Sequence, residues 1–103
     1  MKNILFIIFF ISLNIHSQWK PIGDNIKTDW GENMNPDNVL QEYPRPILVR
    51  KDWKNLNGLW DYTITGKGEN KPKNYDGEIL VPFAIESSLS GVKKRISKEQ
   101  ELW

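Results

Sequence analysis

The chain has 103 residues, with 14 basic and 13 acidic side chains, one His and no Cys. That length holds one domain at most, and 12% aromatic with 26% charged residues describe a chain that folds rather than a low-complexity one. A net charge of +1 gives no field to hold a polyanion, so nucleic acid is not expected as a partner.

Residues 1–17 read as a secretory signal peptide. Lys2 supplies the positive start, Ile4 to Ile11 is an unbroken apolar run, and Ser12 to Ser17 is more polar and ends on a small residue. The apolar run is too short to cross a bilayer, which takes about 20 residues, and no Cys follows it to carry a lipid, so no membrane anchor is expected. Cleavage is placed after Ser17, leaving Gln18 first. The product is then exported, either periplasmic or secreted. Loss of Lys2 lowers the basic count from 14 to 13, equal to the 13 acidic residues. The single His, His16, leaves with the leader. What remains has neither His nor Cys, which removes Ser-His-Asp and Cys-His catalysis and the zinc and copper sites built on those ligands. No cofactor is expected, and no metal-ligating residue is expected on this chain.

Residues 18–37 read as an irregular lead-in, since Trp19, Ile22, Ile26 and Trp30 fit no single period; its two Trp tack it to the body. A short helical turn is predicted after Asn35, with Pro36 in the tolerated first position and Val39, Leu40 and Tyr43 as its packing face. Tyr43-Pro44-Arg45-Pro46 ends it. Arg45, between two prolines, suits either an ion pair with a neighbouring domain or plain surface. Ile47-Leu48-Val49 is a short β-prone run, and Asn57-Gly58 is a turn signal. Leu59 to Thr65 alternates cleanly: Trp60, Tyr62 and Ile64 share an apolar face, and Asp61, Thr63 and Thr65 share the solvent face. Trp60 is therefore expected in the core. Gly66 to Gly77 is a loop. Glu78 to Phe83 is the second strand, with Ile79, Val81 and Phe83 on one face and Pro82 marking an end or an edge. Glu86 to Val92 is a polar turn region. Lys93-Lys94-Arg95 reads as a solvated loop, Ser97 to Glu101 as one helical turn, and Leu102-Trp103 as the start of another strand.

Three segments carry a resemblance. They are Asn38-Val39-Leu40-Gln41-Glu42-Tyr43-Pro44-Arg45-Pro46, Asn55-Leu56-Asn57-Gly58-Leu59-Trp60-Asp61-Tyr62, and Ile79 through Val92 with its Val-Pro-Phe-Ala-Ile-Glu-Ser core. In order and spacing they resemble the N-terminal sugar-binding domain of family-2 glycoside hydrolases, the group of β-galactosidases, β-glucuronidases and β-mannosidases. Leu102-Trp103 is similar to the start of that family's next strand. The resemblance implies an all-β fold, with residues 38–103 as the N-terminal part of a jelly-roll β-sandwich that this chain does not complete. It implies that an immunoglobulin-like domain and a (β/α)8 barrel follow, and that the barrel holds the two catalytic Glu of a retaining mechanism acting on β-linked O-glycosides. This chain then contributes no catalytic residue, and its partners are the missing C-terminal domains and, through the complete protein, a carbohydrate substrate. A stand-alone carbohydrate-binding module is the alternative.

The resemblance also nominates Glu86 and Ser87 as substrate-binding residues, because in some members the corresponding loop reaches toward the barrel's sugar pocket. Some of those members place an Asn shortly after Val-Pro, where this chain has Ala84. The residues themselves equally predict that Glu86 or Ser87 caps the free N–H groups of the following turn. Asp61 and Glu78 read as solvent-face strand residues and Asp76 as a turn former.

Overall fold

A computed structural model describes residues 18–45 and 47–103. The leader predicted over 1–17 lies outside the described residues. The fold is β-rich with little helix: α1 (Asp29–Glu32), β1 (Gly58–Tyr62), β2 (Ile64–Gly66), β3 (Gly77–Val81), a 3-10 turn (Ser88–Ser90) and β4 (Gln100–Leu102). β1 pairs antiparallel with β3, and β2 antiparallel with β4.

The strand predicted over Leu59–Thr65 is present but divided at Thr63. The Tyr62 C=O accepts from the Asp76 N–H at 2.8 Å, on the β3 side. Thr63 instead exchanges both its backbone hydrogen bonds with Trp103, at 3.3 and 3.0 Å. Backbone groups of successive residues point to opposite edges of a strand, so β3 and β4 flank this chain segment on opposite sides. One ribbon thus serves two partners in turn.

In the β1/β3 ladder Trp60 faces Ile79, Tyr62 faces Gly77 and Leu59 faces Leu80. The predicted apolar face is real: Tyr62 and Ile79 are buried together with Ile85 and Val92, and Ile64, Val81 and Ile96 pack against them. The Lys94 ammonium lies 5.9 Å from the Tyr62 ring centre, closing one side of this cluster as a cation–π contact. Two expectations from alternation fail. Trp60, on the apolar face, is 50% exposed, because no layer among the described residues lies over its end of the ladder. Thr63, assigned to solvent, is buried, because the partner change turns it inward. The opposite face is not purely solvated either, since Leu80 is fully buried.

The lead-in holds the one α-helical turn among the described residues. Thr28 Oγ1 accepts from the Gly31 N–H at 3.3 Å, and Asp29 and Glu32 sit in the first turn, where carboxylates are favoured. The turn predicted after Asn35 is not helical. Asn35 Oδ1 takes the Asp37 N–H at 2.9 Å, a local bond that competes with helix formation, and Leu40 is left-handed at φ 43°. Val39 is nonetheless buried, as its place on the predicted packing face requires, whereas Leu40 is exposed. Asn55 and Asn57 fasten this stretch to the foot of β1: Asn55 Nδ2 donates to the Leu40 C=O at 2.8 Å, and Asn57 Nδ2 to the Val39 C=O at 3.2 Å.

Ile47-Leu48-Val49 forms no strand. A turn closed by Leu48 N–H to the Arg45 C=O at 3.1 Å leaves all three exposed. The helical turn predicted over Ser97 to Glu101 is absent: a non-helical turn closed by Gln100 N–H to Ser97 C=O at 3.1 Å leads directly into β4, which takes up Gln100 and Glu101. The predicted Gly66–Gly77 loop and the strand end at Pro82 are both found.

Candidate functional site

The turn after β3 carries the two nominated residues. It is organised by the buried Ser90 hydroxyl, which donates toward the Ile85 and Ser87 carbonyls at 3.1 and 2.8 Å and accepts from the Val92 and Lys93 N–H groups at 3.0 and 3.3 Å. Ser87 caps the 3-10 turn: its Oγ accepts from the Leu89 N–H at 3.2 Å. That is the capping role the residue type predicts before a turn. Glu86 is exposed, and its carboxylate makes no hydrogen bond among the described residues. The two neighbours therefore differ: Ser87 is engaged in structure, and the Glu86 carboxylate faces solvent.

The lead-in meets this turn from the other side. Ile22 N–H donates to the Ser88 C=O at 3.0 Å, and Ser88 Oγ donates back to the Ile22 C=O at 2.6 Å. Gly91 stands at φ 79°, and a Cβ there would fall 2.6 Å from Trp19 Nε1. Trp19 packs onto Gly91 because that residue has no side chain, so the expectation that a lead-in Trp tacks this segment to the body holds for Trp19. Trp30 is 83% exposed and does not.

β1 and β3 place Asp61 directly opposite Glu78, both exposed. Their solvent-face assignment is correct, but their pairing is a long-range fact that spacing does not carry. Glycoside hydrolysis needs one carboxyl kept protonated by an apolar setting; two exposed carboxylates have none. Like charges facing each other across a ladder repel. Asp61→Lys should therefore raise stability by about 0.2–1 kcal/mol, read as a higher urea midpoint at unchanged slope; a lowered midpoint would contradict the pairing.

Asp76 does the work of a latch where the ribbon changes partner. Its Oδ2 accepts from the Ile64 N–H at 3.1 Å and from the Thr63 hydroxyl at 2.8 Å. The Ile64 N–H first, and the Thr63 hydroxyl second, hold its carboxyl below the ordinary carboxylate range; Lys94 adds a smaller attraction. A depressed folded-state pKa contributes stability that is present above the unfolded value and lost as pH falls through the folded one. Lowering pH below about 4 should thus loosen the Thr63–Ile64 junction. In Asp76→Asn this acid dependence should shrink, as measured by hydrogen exchange at the Ile64 amide; equal acid sensitivity in both proteins would remove the latch. Nothing in the sequence flags this residue beyond its place before Gly77.

Two aromatic features remain. Trp60, Phe83, Leu102 and Trp103 line an open groove of about 330 Å³ over the β1/β3 face. Both indoles are held: Trp60 Nε1 donates to the Leu56 C=O at 2.8 Å, and Trp103 Nε1 to Thr65 Oγ1 at 3.0 Å. Tyr43 and Trp53 stack edge to face at 5.0 Å, with the Tyr43 hydroxyl donating to the Leu48 C=O at 2.7 Å. Arg45 is exposed and forms no ion pair among the described residues. No group of three or more His, Cys, Asp or Glu among the described residues is arranged to hold a metal ion, and no described helix is long and apolar enough to cross a membrane. No known protein family matches the chain, and no curated protein matches it significantly.

Proposed function

We propose that this chain forms the N-terminal, non-catalytic part of an exported glycoside hydrolase that cleaves β-linked O-glycosides by a retaining mechanism. The observation that carries the reading is the aromatic groove. Parts of the two blocks that resemble the family-2 sugar-binding domain, Gly58–Tyr62 and Ile79–Val81, pair in one antiparallel ladder, and its apolar face leaves Trp60 half exposed beside Phe83 and Trp103. An exposed aromatic patch of this kind marks an interaction surface. In a jelly roll, a second sheet covers such a face. Further domains then supply the catalytic carboxylates, processing after Ser17 releases the exported protein, and of the nominated pair it is Glu86, rather than the capping Ser87, whose side chain is left to reach a sugar.

A stand-alone carbohydrate-binding module is the second reading, favoured by the same two accessible indole rings, on which apolar sugar faces can stack. The 103-residue product and the complete gene product should be assayed side by side on a panel of aryl β-glycosides. Turnover is expected from the complete product alone. Turnover by neither, with glycan binding by the short product that Trp60→Ala abolishes, would replace the enzyme reading with the binding module.

A further inference from the structure

The segment that follows the proposed cleavage point is fixed in an uneven way. From Trp19 onward it is anchored, with the indole against Gly91 and the Ile22 backbone paired to Ser88. Gln18, one residue earlier, is exposed, and neither its side-chain amide nor its backbone makes a hydrogen bond among the described residues. The γ-amide of Gln18 is therefore free to fold back on its own backbone nitrogen.

We propose that Gln18 is a modification site, cyclised to an N-terminal pyroglutamate once it becomes the first residue. The inference rests on processing after Ser17. The α-amine is the nucleophile. It attacks the side-chain amide carbon Cδ, a bond from the α-nitrogen to Cδ forms, the Cδ–Nε2 bond breaks, and the amide nitrogen leaves as ammonia. The proton it takes is the one the α-nitrogen loses, so atoms and charge balance, and no oxidant, reductant or co-reactant is consumed. The attack closes a five-membered ring within one residue, which removes the entropic cost of bringing two reactants together. An α-amino group titrates near 7.7–8.0, so a useful fraction is unprotonated at neutral pH.

The surroundings give the modification a consequence. Gln18 borders a groove shared with Lys20, Asp76 and Glu78. An uncyclised N-terminus would add a second ammonium beside those two carboxylates, and the lactam adds none. The cap also removes the amine that aminopeptidases grip, at the end of a strap anchored only from Trp19 inward.

Export of the full-length gene product, followed by intact mass and N-terminal peptide sequencing, tests this. The expected N-terminal peptide starts at Gln18, is lighter by one ammonia, resists stepwise N-terminal sequencing and becomes sequenceable after pyroglutamyl aminopeptidase. Gln18→Asn, whose ring would have only four members, should be exported equally and stay unblocked. A Gln18 terminus that keeps its free amine through prolonged incubation at neutral pH would overturn the cyclisation while leaving the processing intact. A blocked Gln18→Asn protein would also overturn it, by pointing to an acyl group instead. An N-terminus at another residue would overturn the processing reading, and this inference with it.

Discussion

Leu80→Ala should lower stability by about 2–5 kcal/mol, the usual cost of emptying a buried leucine site. Leu80 is completely buried, one residue before the end of β3, opposite Leu59. The loss combines transfer of the removed carbons with whatever cavity the surrounding side chains leave unfilled. The useful comparison is with Trp60→Ala. Trp60 is the larger residue, but it is half exposed and forfeits only part of its area together with one hydrogen bond, to the Leu56 carbonyl. On area removed from water, at about 25 cal/mol per Å², the buried leucine should outweigh the exposed tryptophan. Denaturant unfolding of both variants decides it. A larger loss for Trp60→Ala in the complete protein than in the 103-residue chain would show that the groove is covered there, as the sandwich reading requires. A Leu80→Ala protein as stable as its parent would mean that β3 does not sit in a packed interior.

The contrast between these residues shows where alternation is legible and where it stops. Period two placed Tyr62, Ile64, Ile79 and Val81 on one face, and they do meet. Alternation reports which way a side chain points, but not whether another layer lies over it, so it misjudged Trp60. Nor does it record a change of partner: Thr63 continues the polar phase of the ribbon, yet its backbone leaves β3 for Trp103 and its hydroxyl turns in to Asp76. Local chemistry competed similarly with the predicted turns. Thr28 followed by Asp29 nucleates a helical turn inside the supposedly irregular lead-in, while Asn35 takes a nearby N–H for an Asx turn and prevents the helix expected at Pro36. Ile47-Leu48-Val49 has β propensity but no strand beside it, and propensity without a ladder does not make a strand.

At the candidate site, the cap at Ser87 was legible because a Ser before a turn has a local partner. The opposition of Asp61 and Glu78 was not, because register depends on residues far apart in the chain. The same division separates the two functional readings. Both rest on the β1/β3 face, and what distinguishes them is whether Trp60 and Trp103 meet protein or sugar, a question of layers rather than of pattern.

Ser90→Ala should cost about 2 kcal/mol or more, beyond what loss of a small hydroxyl suggests, because its oxygen is the acceptor for two N–H groups at once. The Ser87 and Ile85 carbonyls keep other donors: Ser87 receives the Ser90 N–H at 3.3 Å, and Ile85 receives the Lys94 N–H at 3.1 Å. The Val92 and Lys93 N–H groups lose the acceptor that Ser90 provides. A buried donor without a partner carries roughly 1–3 kcal/mol of desolvation, and Val92 lies in the core beside Tyr62. Part of the loss at Lys93 is recovered from water, since that residue is exposed. The effect should also be directional. Ser90→Ala should loosen the turn that presents Glu86 and the Trp19 strap that leans on Gly91, so hydrogen exchange should rise at Ile22 and Leu89 before it rises in β1. Ser90→Cys, which keeps a weak donor and acceptor of similar size, should recover part of the loss. Uniform acceleration of exchange across β1 and β3 in Ser90→Ala would mean that the hydroxyl supports the whole core rather than the turn, and would detach the Glu86 loop from its assigned anchor.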